Sequence, residues 1–146
     1  MIISLDSRMG IISRTGSGEW ISKLLDAVFE HSKTAIELYD FDGTLIDINP
    51  ASLAIFGIDG KKEIESFNFF DDPNITELRK KDIFEGKIVK YGTVIDFDAV
   101  KKSNLFSTNK SGKVSLSVTI IPILNEENQL FRILFLGEEQ LDCLDV

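Results

Sequence analysis

This chain of 146 residues is short of the residue types that carry most enzyme chemistry: it has one cysteine, one histidine, one tryptophan and three prolines. A lone cysteine, Cys143, excludes a disulfide framework within the chain and fits a reducing compartment. With a lone histidine, His31, serine–histidine or cysteine–histidine catalysis has nothing else to rest on. There is no Gly-x-Ser-x-Gly elbow and no Gly-x-x-x-x-Gly-Lys-Ser/Thr phosphate loop. The chain is therefore not read as an enzyme. No apolar stretch approaches the roughly 20 residues that span a bilayer. The start, Met1 to Arg8, is too short and too polar for a signal peptide, so the expected location is cytoplasmic. Basic residues are outnumbered, 16 against 24 acidic ones, for a net charge of −8. That argues against nucleic acid or an anionic membrane as partner, because both need clustered Lys and Arg.

Apolar residues are well supplied, at 43% with eleven phenylalanines, enough for one domain with a real core. The run Ala35 to Gly57 is the most informative stretch. Asp42-Gly43 sits between two apolar segments, a short-range hairpin signal. Asn49 suits an N-cap, Pro50 the first helical position, and Gly57 a helix end. Before it, Trp20 to Phe29 places Ile21, Leu24, Leu25, Val28 and Phe29 on one helical face. After it come a helical turn at Lys61–Ser66, an aromatic cluster of Phe67, Phe69 and Phe70, and a helix from Ile75 to about Phe84 with Ile75, Leu78 and Ile83 inward. Ile95, Phe97 and Ala99 alternate as in a strand, and Val114, Leu116, Val118 and Ile120 alternate more cleanly against Ser115, Ser117 and Thr119. Leu130 to Leu136 is nearly all apolar, as in a strand buried on both faces. The order is two strands, short helices, three strands. It implies an α+β fold: a five-stranded antiparallel sheet with short helices on one face and an N-terminal amphipathic helix.

The hairpin followed by Asn49-Pro50-Ala51 resembles the opening of a PAS domain, a small sensing and protein-interaction module. The stretch Phe97 to Gly112 is similar to a subgroup of PAS domains from multidomain sensor kinases, with Lys110-Ser111-Gly112 where a Lys-Asp-Gly turn is common. The resemblance spans residues 20–140, leaving 1–19 as an extension or linker and 141–146 as a tail. Ile2 to Ser13 loosely echoes the later hairpin, either as a remnant of a preceding module, as an extra strand pair, or by coincidence. One departure is the exit, Gly137-Glu138-Glu139-Gln140, where many PAS domains carry Asp-Ile-Thr leading to an output helix.

The resemblance implies a signal-transduction input for an output domain or partner such as a histidine kinase of a two-component system, acting as a homodimer. Trp20, Ile21, Leu24, Leu25 and Val28 would then form the dimer or partner contact. It also implies a pocket between sheet and helices for a small-molecule ligand. Candidate walls are Phe56, Phe69, Phe70, Leu78, Phe84 and Tyr91, together with Ile95, Phe97, Leu116, Val118, Ile133 and Phe135. The same residues read equally as core that fills its own space. The cofactor stays unknown. His31 lies outside the helical middle that supplies haem ligands in such domains, and no cysteine stands where flavin photochemistry needs one, so haem and a cysteinyl flavin are not expected. Asp40, Asp42 and Asp47 cluster at a turn, where carboxylates ordinarily serve turn formation rather than a metal. Three functions remain: a ligand-binding input module, a ligand-free interaction or dimerisation module, and a cofactor-based light or redox sensor.

Overall fold

A computed structural model describes residues 18–140. The expectations for residues 1–17 and 141–146, Cys143 among them, lie outside the described residues. The chain divides into two units, the first ending at Ser32 and the second starting at Lys33.

In the first unit, helix α1 spans Gly18–His31 and none of its residues is buried. Trp20, Leu24, Leu25 and Val28 are 44–62% exposed. Among the described residues no helix is long and apolar enough to cross a membrane.

The second unit opens with β1 (Ala35–Asp40) and β2 (Leu45–Ile48). The Asp42-Gly43 turn between them forms because Asp42 Oδ1 accepts the Thr44 N–H at 3.0 Å and Gly43 takes a φ of 91°. A side chain at Gly43 would collide with Asn68, whose stretch is held there by the bond from Phe69 N–H to Gly43 O at 2.9 Å. Helix α2 (Pro50–Phe56) starts at Asn49, whose Oδ1 accepts the Ser52 N–H at 3.0 Å, and ends at Gly57 with φ 66°. Asn49 is fully buried and also ties the strand entry, accepting from Ile36 N and donating to Thr34 O.

Short 3₁₀ turns follow at Lys61–Glu63 and Phe69–Asp71. Helix α3 is Glu77–Phe84, capped by Thr76. Ile75 and Ile83 are buried, but Leu78 is 70% exposed, contrary to its inward expectation. On this helix Leu78 and the buried Ile83 are five residues apart, about 140° around the axis, so Leu78 turns outward.

Strand β3 (Val89–Asp96) ends where the alternation Ile95–Phe97–Ala99 suggested it would continue. Asp96 caps a helix instead, accepting the N–H groups of Asp98 and Ala99, and Phe97–Ser103 forms α4. Strands β4 (Lys113–Leu124) and β5 (Leu130–Glu139) complete an antiparallel sheet of order β2-β1-β5-β4-β3. In β5 the residues Ile133, Phe135 and Gly137 are buried, while Leu134 and Leu136 on the other face are only half-buried. The expected two-sided burial is thus one-sided.

Register aligns the inner face in rows. Val89 lies opposite Ile120, Ile120 opposite Phe135, Phe135 opposite Glu37, and Glu37 opposite Ile48. Helix α2 packs on β1, α3 on β3 and β4, and α4 on β3.

Candidate functional site

One carboxyl interrupts that apolar row. Glu37 is 7% exposed in the middle of the inner face. Its Oε1 accepts the Tyr39 hydroxyl and its Oε2 accepts the Ser52 hydroxyl. Strand pleating puts Glu37 and Tyr39 on one face two residues apart, and the Asn49 cap places Ser52 in the first turn of α2, against β1. Buried acids are rare without a counter-charge. Here burial raises the Glu37 pKa, the two hydroxyls oppose the rise, and the Asp72 carboxylate adds to it. Burial and the adjacent Glu37 charge likewise push the Tyr39 phenol up.

Glu37 and Tyr39 face a cavity of about 380 Å³ between the sheet and the helical segments, within the size range of small-molecule sites. Phe56 and Phe135 form part of its wall, and Ile95, Ala99 and Val100 another. The Phe69 turn is pinned to the β1–β2 hairpin, and its ring lies 5.0 Å from Tyr39. Phe56 and Phe67 each meet Phe106 edge-on, with centroids 6.0 and 6.3 Å away. The loop before β4 is tethered to α2: Thr108 donates to Phe56 O at 2.6 Å and Asn109 N–H to Gly57 O at 2.8 Å.

Asp72, Asn74 and Thr93 form another polar part of the wall. Asp72 Oδ1 accepts the Asn74 N–H at 2.9 Å, and Asn74 Oδ1 accepts the Thr93 hydroxyl at 3.1 Å. Burial raises the Asp72 pKa, opposed by the Asn74 hydrogen bonds and by Arg79. Arg79 itself lies outside the wall, with its guanidinium 4.1 Å over the Tyr91 ring and a bond to Asn74 O.

Of the residues expected at a pocket, Phe56, Phe69, Ile95 and Phe135 line this cavity. Phe97, Leu116, Val118 and Ile133 are buried in the packed core instead. Tyr91 is half-buried beneath Arg79, and burial raises its pKa. Phe70 stacks on Phe84 at 5.8 Å, Phe84 is 46% exposed, and neither lines the cavity; nor does the exposed Leu78. Glu37, Asp72 and Ser52 were not foreseen. For Glu37 the signal existed: in Ala35-Glu37-Tyr39 the acid shares the parity of two apolar residues.

His31 closes α1. Among the described residues no group of three or more His, Cys, Asp or Glu is placed to hold a metal ion, and Asp40 is paired with Arg132 at 3.0 Å.

No protein-family model matches the sequence, and no curated protein matches it. Solved structures do. The PAS domain of an HTR-like protein from Haloarcula marismortui is 19% identical at a TM-score of 0.60, covering 88% of this chain and 98% of that one. A domain of a sensory box sensor histidine kinase/response regulator from Geobacter sulfurreducens is 17% identical at 0.61, covering 84% and 99%. A PAS domain from Colwellia psychrerythraea is 19% identical at 0.56, covering 82% and 97%.

Proposed function

We propose that this chain, which has the fold of a PAS domain, is a cytoplasmic signal-input module that takes a small molecule into the cavity around Glu37. Occupancy then biases an output domain or partner such as a histidine kinase. The observation that carries this reading is the cavity itself: an interior that ordinarily closes is here held open around a buried carboxyl. The similar Geobacter domain comes from a protein described as a sensor histidine kinase/response regulator, which agrees with an input role.

Binding would change what Glu37 and Tyr39 face. Both sit on β1, between β2 and β5, so a ligand with different affinity for two arrangements of β1 shifts their populations. Binding rather than catalysis is the role of these residues.

Native mass spectrometry of the intact chain, set against its denatured mass, tests the reading. Extra non-covalent mass, or a metabolite that raises the melting temperature by binding the native state, supports it. A bare mass with no thermal response across a metabolite panel overturns it.

The exposed apolar side chains of α1 favour a second, compatible role in a homodimer or partner contact. Leu25→Asp would then abolish a concentration-dependent dimer in sedimentation while leaving the melting temperature of the sheet domain unchanged.

A further inference from the structure

Resting on the reading of the cavity as a binding site, we infer that its ligand is an organic ammonium ion carried on an apolar body. Three carboxyl groups, Glu37, Asp72 and Asp96, stand in the wall, and no Lys, Arg or His does among the described residues. The hydroxyl protons of the wall are already committed: Tyr39 donates to Glu37, Thr93 to Asn74 Oδ1, and Ser103 to Val100 O. The Asn74 side-chain N–H₂ is the remaining side-chain donor. The wall therefore offers acceptors and negative charge.

An anionic ligand would meet three carboxyl groups and, among the described residues of the wall, no cation to receive it, which is costly in a partly desolvated site. A purely apolar ligand would fill the space but cover the remaining acceptor positions of Glu37 and Asp72 without a donor. An ammonium group supplies both the donors and the charge. Tyr39, Phe56, Phe67, Phe69, Phe106 and Phe135 add aromatic surface to the same wall, and aromatic faces attract cations most when desolvated.

Glu37 itself points the same way. Its partners are two hydroxyls and its acidic neighbour is Asp72, and among the described residues no cation lines the wall beside it. Arg79 acts on Asp72 and is held on the Tyr91 ring.

Matched ligand sets test this. The 2-phenylethyl, 2-cyclohexylethyl and hexyl bodies, each carried as ammonium, alcohol and carboxylate, are titrated into the full chain at pH 7.5. Methyl shifts of Ile58, Ile64 and Val100 in the wall are the readout. The expected result is that an ammonium member binds about tenfold or more tighter than its alcohol, as a charge-assisted bond would give, and that its carboxylate moves no wall methyl. Glu37→Gln should weaken the ammonium member far more than its alcohol, so that the gap between them closes. Asp72→Asn, which keeps the acceptor for Asn74, should give a smaller loss of the same kind and carries the test if Glu37→Gln fails to fold. Alcohols or carboxylates that bind the wall as tightly as ammonium members overturn the inference and leave the input-module reading standing. Wall methyls unmoved by all of these ligands at about 10 mM overturn the inference as well, while a bare native mass with no thermal response to a metabolite panel overturns the input-module reading.

Discussion

Two ends of one sheet face are built from the same kinds of residue and filled differently. At the α3 end, Ile83, Val89, Ile120 and Ile133 are 0–7% exposed and none of them lines the cavity. At the other end, Ile95 and Thr93 are half-buried beside open space. The difference comes from what covers each end. A helix that lays Ile83 onto β3 and β4 can close by apolar contact alone. The open end is covered by short segments hung on hydrogen bonds, such as the Thr108 and Asn109 tethers to α2, and its cavity reaches across the sheet to Glu37. Apolar walls cannot collapse onto a carboxyl without leaving it dry and unpaired. Hydrophobic content alone therefore says little about whether a region packs shut; the placement of one acid and the kind of cover above it decide.

Truncation tests this most strongly. Ile120→Ala and Ile133→Ala should each cost about 2–5 kcal/mol in urea unfolding, since each leaves a void in close-packed surroundings, whereas Ile95→Ala, at a site already beside space, should cost well under the lower bound of that range. Equal losses at the two ends would break the comparison. Next in size is Asn49→Ala. It removes an N-cap and strands the buried N–H of Ser52 and the part-buried N–H of Ile36, for about 1–3 kcal/mol in the same assay; a loss below that range would mean that water replaces the amide.

A pH series separates the ends more finely. The folded-state pKa of Glu37 is raised, so the stability it contributes is fully present below its unfolded pKa, about 4.3, and is lost as pH rises through the folded value. Unfolding free energy should thus fall over that interval in the wild type and fall less in Glu37→Gln. Asp72, raised in the same direction, retains its share. Ile120→Ala should lower the curve without changing its slope. The smallest effect belongs to the surface: Arg132→Ala breaks the partly exposed pair with Asp40 and should cost no more than about 1 kcal/mol, less at high salt.

The elements legible in the sequence were those specified by local chemistry. Asp42-Gly43, Asn49-Pro50 and Gly57 carry their turn and cap roles in their own residue types, the glycines by lacking a Cβ, and β4 announces itself by alternation over many residues. Phe97 misled because Ile95, Phe97 and Ala99 alternate, while the capping acid that starts α4 needs only one residue, Asp96. A helix of seven residues is too short for its period to outweigh that pattern. Leu78 misled because Ile75, three residues before it, lies outside the helix, and the buried Ile83 lies on the opposite side of the helix from Leu78. In β5 both parities are apolar, so composition could not tell which face is covered. Phe56, Phe69, Ile95 and Phe135 were legible as candidate walls, but bulk was the only signal, and bulk does not distinguish a wall from a filled core. Glu37 is not legible by residue type, since an acid ordinarily faces water; only its parity with Ala35 and Tyr39 marks it as inward.

The hydroxyl that Tyr39 donates to Glu37 also gives the protein its own optical labels. The chain has two tyrosines and one tryptophan. Tyr39 lies in the cavity wall and Tyr91 beneath Arg79, while Trp20 sits on α1. Tyrosine difference absorption therefore follows events at the sheet, and tryptophan fluorescence follows events at the helix. With no dye attached, a single titration can record whether filling the cavity is felt in the first unit.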